Sequence, residues 1–142
     1  MSMKPSKGKI WIFMGSKSDA ETMSACEETL KNEGVPYQKF IHSAHREPDH
    51  IRSLIKKAKK EKVVAIIAGA GLAAHLPGFI ASQTDIPVLG VPLASSTLGG
   101  LDSLLSIVQM PGGVPVATFG IGKPGAKNAA LFAARLYRRG NS

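Results

Sequence analysis

The sequence has few of the features that mark disulfide-rich, secreted or membrane-spanning proteins. Cys26 is the one cysteine among 142 residues, so no disulfide can form within the chain. It shares a helical stripe with Met23 and Leu30, which favours a small core residue. No apolar run approaches the roughly 20 residues of a membrane helix, and residues 1–9 lack the apolar core of a signal peptide. We therefore expect a cytoplasmic protein with no membrane partner, with a flexible leader at 1–9 and a single domain at 10–142.

Aromatic and acidic residues are also scarce, which narrows the class of ligand. One Trp, two Tyr and five Phe leave little surface for stacking nucleic-acid bases. The 18 Lys and Arg exceed the 10 Asp and Glu, and the formal net charge of +8 favours an anionic partner. Five lysines between positions 56 and 62 have the pattern of a solvated helix face. We therefore expect a small anionic metabolite and no nucleic acid.

Several familiar site patterns are missing. One cysteine and four scattered histidines provide no metal cluster, since His42 and His45 are three apart across a loop without carboxylate support. The loop at 15–17 lacks the spacing of a P-loop. A G-x-G-x-x-G match at 120–125 is not followed by the further strand and acidic residue that a dinucleotide site needs. We expect no metal and no dinucleotide at these positions.

What the sequence does contain is a regular alternation of short apolar runs and helical patterns. We predict strands at 10–14, 35–41, 63–68, 86–91 and 116–121, and helices from Ser18 to Gly34 and over 48–60, 76–83, 101–109 and 126–139. Ser18 and Glu21 fit a capping box at the start of the first helix, and Gly34 fits its C-cap. This alternation predicts an α/β/α sandwich in three layers, flavodoxin-like, whose five-stranded parallel sheet has the order 2-1-3-4-5.

Three unusual loops follow the first three strands, which that order makes neighbours. They are Gly15-Ser16-Lys17-Ser18-Asp19, Ser43-Ala44-His45-Arg46 and Gly69-Ala70-Gly71. The first offers backbone N–H groups and hydroxyls to an anion, with Asp19 as an acceptor for sugar hydroxyls or a partner of the helix dipole. His45 can move protons near neutral pH, and Arg46 can bind a phosphate through two hydrogen bonds. We expect a ligand site where these loops meet.

Two of the predicted helices indicate assembly with further copies of the chain. The predicted helices at 101–109 and 126–139 are apolar on most sides, and such helices need burial on most sides. A domain of this size cannot cover both, so we expect a homo-oligomer. The alternative is an alanine-rich helix selected for its propensity alone.

Four motifs, taken together, resemble a known family. They are Met14-Gly15-Ser16-Lys17-Ser18-Asp19, Ser43-Ala44-His45-Arg46, Gly69-Ala70-Gly71-Leu72-Ala73-Ala74-His75-Leu76-Pro77-Gly78, and the stretch from Asp102 to Pro111. In order, they look like the N5-carboxyaminoimidazole ribonucleotide mutase family, the bacterial class I PurE proteins. The resemblance runs from about Ile10 to Arg135.

The resemblance implies a fold, a reaction and roles for particular residues. The implied fold is the flavodoxin-like sandwich, assembled as an octamer. The implied reaction, in IMP and purine biosynthesis, moves a carboxylate from the exocyclic nitrogen to C4 of the aminoimidazole, without cofactor or metal. His45 matches the general acid/base, and Ser16, Asp19 and Arg46 match positions that hold the nucleotide. The other substrate-binding candidates are Ser18, Ser43, Ala70, Gly71, Leu72 and His75. Gly71, Ala73 and Ala74 could wall a pocket that retains CO2.

The same motifs are compatible with two other functions. One is a related enzyme that carboxylates aminoimidazole ribonucleotide directly with CO2, against which the runs from Ala73 to Gly78 and from Asp102 to Pro111 favour the mutase type. The other is a non-catalytic flavodoxin-like module that binds FMN or a nucleotide.

Overall fold

The fold is a parallel sheet between two layers of helices. The structure is a computed structural model that describes residues 8–140. Its strands are β1 (Lys9–Met14), β2 (Tyr37–Ile41), β3 (Val63–Ala70), β4 (Val88–Pro92) and β5 (Ala117–Thr118). Its helices are α1 (Ala20–Asn32), α2 (Pro48–Ala58), α3 (Leu76–Ala81), α4 (Leu101–Val108) and α5 (Lys123–Gly140), and a 3₁₀ turn at Lys17–Asp19 precedes α1. Most of the predicted leader, residues 1–7, lies outside the described part.

The sheet has the order β2-β1-β3-β4-β5 with every pair parallel, which confirms the predicted topology. Met14, the last residue of β1, is paired with Ile41 in β2 and with Gly69 in β3. Gly69 is in turn paired with Val91 in β4. Four strands therefore end at nearly the same height, and their following loops leave the sheet side by side.

The strand β1 is buried on both faces, as expected for the centre of a parallel sheet. Ile10 and Ile12 belong to a core beneath α1 and α5, whereas Trp11 and Phe13 belong to a second core beneath α2, α3 and α4. These side chains are 0–1 % exposed. Each contributes about 1.5–3 kcal/mol relative to an exposed side chain, so β1 is anchored from both sides.

Cys26 lies on the face of α1 that packs against the core and is fully buried, in agreement with its predicted role. Burial raises the pKa of its thiol to about 12, and the neighbouring Glu27 carboxylate adds to the effect. None of the helices in residues 8–140 has the length and apolar character to cross a bilayer.

The ends of α1 show one prediction confirmed and one that is wrong. Gly34 has φ of +70°, and the N–H groups of Gly34 and Val35 donate to the carbonyls of Lys31 and Leu30 in a Schellman C-cap. The capping box does not form, because the Ser18 hydroxyl lies 2.6 Å from the Ser16 hydroxyl instead. The chain makes a 3₁₀ turn there, which delays α1 until Ala20.

The last strand and helix also differ from the predicted bounds. β5 is only two residues long and is paired with Leu89 and Gly90 of β4 alone, at one edge of the sheet. α5 begins at Lys123, three residues earlier than predicted. The backbone of Gly125 packs on Gly120, so the G-x-G-x-x-G match is a tight strand-to-helix junction.

This junction makes a testable prediction about stability. A Cβ at Gly125 would overlap the carbonyl oxygen of Gly120, whereas a Cβ at Gly112 would meet nothing within 4 Å. We expect Gly125→Ala to lower the free energy of unfolding by about 1–3 kcal/mol or more, through overpacking against backbone. Gly112→Ala is the matched control and should change it by less than about 0.5 kcal/mol. Equal thermal stability of the two variants would contradict this packing.

Candidate active site

One cavity of about 630 Å³ opens where the loops after β1, β2, β3 and β4 leave the sheet. It is lined by all the catalytic and substrate-binding candidates that the sequence nominated. These residues are Ser16, Ser18, Asp19, Ser43, His45, Arg46, Ala70, Gly71, Leu72 and His75. The structure therefore brings the three loops together as the strand order predicts, while the role of each residue stays a prediction.

The loop after β1 offers hydroxyls and a carboxylate. The Ser16 hydroxyl donates to Asp19 Oδ2 at 3.4 Å, and the Asp19 N–H donates to the Ser16 carbonyl at 3.2 Å. Partial burial raises the pKa of Asp19, and hydrogen bonds from Ser16 and Gly15 offset part of that rise. The carboxylate is thus fixed in place and still able to accept hydrogen bonds from a bound hydroxyl.

The loop after β2 is a tight turn that exposes His45 and Arg46 to the cavity. The Glu47 N–H donates to the Ser43 carbonyl at 2.8 Å, and the Arg46 N–H donates to the Ser43 hydroxyl at 3.3 Å. His42 lies outside the cavity lining. Its Nδ1 lies 3.3 Å from Glu47 Oε2, so it joins the two ends of the turn.

The loop after β3 faces that turn across the cavity. The rings of His75 and His45 have centroids 5.1 Å apart and are tilted by 42°. His75 is the N-cap residue of α3, so the start of this helix positions it. Ala74 is buried and does not line the cavity, which corrects its expected place in the wall, whereas Gly71 and Ala73 do line it.

The sequence analysis missed a contribution from the loop after β4. Ser95 lines the cavity, and a Cβ on Gly71 would overlap its hydroxyl. Its place could have been predicted, because β4 is the neighbour of β3 in the predicted order. The loop after β4 therefore also leaves the sheet at the carboxyl ends of the strands. The remaining lining residues are Gly15, Ala44, Ala73 and Leu76.

The assembled groups can bind a phosphorylated sugar that carries a flat ring and can move a proton on it. Arg46 has the planar fork that suits a phosphate, and Asp19 with Ser16 suits ribose hydroxyls. Ala70 and Gly71 present backbone and small side chains, which allow a planar ring to approach closely. The imidazole of His45 can both donate and accept a proton.

The raised pKa of Asp19 makes a prediction about pH and stability. A carboxyl whose pKa is higher in the folded state stabilises the fold when protonated, and this contribution is lost as the pH rises through the folded pKa. We expect Asp19→Asn to raise the free energy of unfolding at about pH 7, and with it the melting temperature. The gain should be less than about 1 kcal/mol, because the carboxyl is partly exposed, and it should be close to zero near pH 3.

Asp85 provides the matched control, because hydrogen bonding to Lys59 lowers the pKa of its exposed carboxyl. Asp85→Asn should therefore give no gain of stability at about pH 7. Melting curves of both variants at the two pH values test the sign. A loss of stability in Asp19→Asn at neutral pH would contradict the burial argument.

Comparison with known proteins identifies what this arrangement resembles. The sequence profile of the AIR carboxylase family matches residues 9–142. The chain is 56 % identical over 128 residues to the N5-carboxyaminoimidazole ribonucleotide mutase of Saccharolobus solfataricus, covering 90 % of this chain and 80 % of that protein. It is 55 % identical over 127 residues to the protein of the same name from Bacillus subtilis, with 89 % and 78 % covered.

Solved structures agree with these sequence matches. The crystal structure of Treponema denticola PurE superposes with a TM-score of 0.83 at 30 % identity. The match covers 94 % of this chain and 82 % of that one.

Proposed function

The chain belongs to the AIR carboxylase family, and from that premise we propose that it is an N5-carboxyaminoimidazole ribonucleotide mutase of purine biosynthesis. The family resemblance read from the four motifs is confirmed. The observation that carries the proposal is the shared cavity, which His45 and Arg46 line together with Ser16 and Asp19. Relatives at 55–56 % identity bear the mutase name. We further infer that the enzyme acts in the cytoplasm, in the synthesis of IMP.

Substrate binding follows from the chemistry of the three loops. Arg46 binds the phosphate of the ribonucleotide, since a guanidinium can donate two parallel hydrogen bonds to it. Asp19 accepts hydrogen bonds from ribose hydroxyls, with Ser16 and Ser18 beside it. The aminoimidazole ring lies against the backbone of Ala70 and Gly71. Ser43 acts indirectly, because its hydroxyl accepts a hydrogen bond from the Arg46 N–H and so stabilises the turn that positions Arg46.

The reaction needs one proton donor that afterwards becomes the acceptor. The bond between the exocyclic nitrogen and the carboxylate carbon breaks, its electron pair stays on nitrogen, and His45 supplies the proton. The nucleophilic C4 then bonds to the released CO2, and the C4 proton returns to His45. The proton count is therefore unchanged over the cycle, so one group serves first as acid and then as base.

The ring of His75 contributes to the position of the proton carrier. It lies beside His45, and its place at the start of α3 ties it to a helix rather than to a free loop. We infer that it keeps the His45 ring directed at the substrate and contacts the substrate itself.

Assembly is the second part of the proposal, and we propose a homo-oligomer, specifically an octamer. Within residues 8–140, α5 buries its alanine face against the core of its own subunit. The segment at and before α4 behaves differently and presents a stripe of half-exposed leucine and valine side chains. These are Leu98, Leu101, Leu105 and Val108, at 62 %, 52 %, 51 % and 47 % exposure. This α4 stripe is the surface that further copies would cover.

The proposed activity is tested by incubating the protein with N5-carboxyaminoimidazole ribonucleotide, beside aminoimidazole ribonucleotide with bicarbonate. We expect conversion of the first substrate to 4-carboxy-5-aminoimidazole ribonucleotide. His45→Asn should reduce single-turnover conversion by roughly 10²–10⁴-fold, because asparagine cannot move protons, while substrate affinity is largely kept.

His50→Asn is the matched control, because His50 packs on His42 and lies outside the cavity lining. It should turn over as the unaltered protein does. Near-normal turnover in His45→Asn would exclude His45 as the proton carrier. Product formed only from aminoimidazole ribonucleotide and bicarbonate would favour the direct carboxylase, and a yellow protein without activity would favour an FMN-binding module.

The α4 stripe makes a separate prediction about mass in solution. We expect light scattering to show an octamer, and Leu105→Glu to shift it toward smaller species, because a charge would be buried without a partner. Lys56→Glu, on the exposed side of α2, is the control and should leave the mass unchanged. A monomer of the unaltered protein would contradict the assembly and leave the α4 stripe without its proposed cover.

A further inference from the structure

The turn between β2 and α2 is closed by a side-chain contact that lies outside the cavity. His42 follows the last residue of β2, and Glu47 precedes the first residue of α2. The distance from His42 Nδ1 to Glu47 Oε2 is 3.3 Å. A carboxylate has no proton to donate, so Nδ1 carries the hydrogen of this bond and Glu47 accepts it. This contact, the His42–Glu47 clamp, spans residues 43–46.

Each end of the clamp is attached to a different rigid element. The His42 N–H donates to the Met14 carbonyl of β1 at 2.9 Å, which extends the pairing of the central strands by one residue. The Glu47 carbonyl accepts from the N–H of Ile51, a fully buried residue of α2, at 3.2 Å. The clamp therefore joins the sheet to α2 across the open side of the turn.

Glu47 is an unusual residue for the position that it occupies. It is the N-cap residue of α2, where serine, threonine, aspartate and asparagine are preferred because their short side chains reach the first N–H groups of the helix. The Glu47 side chain makes no such bond to α2, and its carboxylate lies beside His42 instead. Helix capping therefore does not account for this carboxylate, whereas the contact with His42 does.

The turn that the clamp closes carries two residues of the candidate site. His45 and Arg46 have exposed side chains that line the cavity. Within the turn, the N–H groups of Arg46 and Glu47 donate to the hydroxyl and the carbonyl of Ser43. Both bonds depend on Ser43, so an opening of the turn breaks them together. A contact between the two ends of the turn opposes that opening.

We propose that His42 and Glu47 are positioning residues, which hold the turn closed before substrate binds so that Arg46 is already in place for the phosphate. The inference rests on the proposed function. Neither residue lines the cavity, so both act through Arg46 and not on the reacting atoms. When the turn is open in part of the free protein, the apparent affinity falls in proportion to the fraction that can bind. Once bound, the phosphate itself holds Arg46, so the rate at saturation does not depend on the clamp.

The first test separates affinity from rate. The single-turnover rate at increasing concentrations of N5-carboxyaminoimidazole ribonucleotide gives a half-saturation concentration and a limiting rate. Glu47→Ala should raise the half-saturation concentration roughly two- to fivefold, the range that a partly exposed ion pair allows, and should leave the limiting rate unchanged. Glu47→Gln should behave as the unaltered protein does, because its amide oxygen still accepts from Nδ1.

Variants of the histidine separate the hydrogen bond from the packing of the ring. His42→Phe keeps an aromatic ring against His50 but removes the donor, and it should match Glu47→Ala. His42→Asn loses the ring but keeps an N–H group near the position of Nδ1, and it should bind as the unaltered protein does. The double variant with His42→Phe and Glu47→Ala should bind no more weakly than either single variant, because both remove the same contact.

Glu61→Ala is the matched control for the loss of a surface ion pair. It removes the contact of Glu61 with Lys9, which is 3.5 Å long, partly exposed and located where β1 and β3 begin. This position is at the end of the sheet opposite the cavity. Both the half-saturation concentration and the limiting rate should therefore stay unchanged.

Hydrogen exchange tests the clamp without any substrate. The amides of Arg46 and Glu47 exchange with solvent when the turn opens and their bonds to Ser43 break. Mass spectrometry of a peptide that spans residues 43–51 follows these amides in the intact protein. Glu47→Ala should exchange roughly two- to fivefold faster there, whereas Glu61→Ala should exchange as the unaltered protein does.

The outcomes distinguish this inference from the function on which it rests. An unaltered protein that forms no product would overturn the proposed function, while faster exchange in Glu47→Ala would still support the closure of the turn by the clamp. Product from the unaltered protein, with an unchanged half-saturation concentration in Glu47→Ala, would overturn the positioning role alone. A lower limiting rate in Glu47→Ala at an unchanged half-saturation concentration would also overturn it, because the contact would then act on the chemical step.

Discussion

The height at which the strands end is the constraint on which the rest of the structure depends. Backbone pairing puts Met14, Ile41 and Gly69 side by side, so three distant segments of chain leave the sheet at one level. A slip of one residue would turn every side chain of β1 to the opposite face. The two cores forbid that slip, because β1 fills both of them. The cavity is thus secured by apolar burial beneath it more than by contacts within it.

Sequence reasoning predicted most of the fold because the apolar runs and the helical patterns alternate without ambiguity. The strand order then placed the three loops together, and all ten catalytic and substrate-binding candidates line one cavity, whereas the wall residue Ala74 does not. The failures have local causes. Hydroxyl pairing between Ser16 and Ser18 replaced a capping box, and β5 pairs with β4 over only two residues of the predicted run. Ser95 was overlooked because a serine in a loop carries no pattern of its own, and only the neighbouring strands reveal its place.

Two residues of the cavity are in states that are locally unfavourable to the stability of the fold. Asp19 keeps a carboxylate in a partly buried place that raises its pKa, and Leu72 keeps a left-handed backbone without burial in return. Both are adjacent to well-packed elements whose burial offsets them. Stability of the sheet and helices therefore permits a site whose own residues are not arranged for stability.

The burial of Cys26 has a practical consequence for spectroscopy. Thiol-directed dyes and spin labels react with the thiolate, and a sulfur that is fully buried with a pKa of about 12 offers almost none at neutral pH. No other cysteine exists in the chain. The unaltered protein should therefore not react with thiol-directed reagents at neutral pH. A cysteine introduced at an exposed position would carry a probe alone, so that distances between loops could be followed without first removing a native residue.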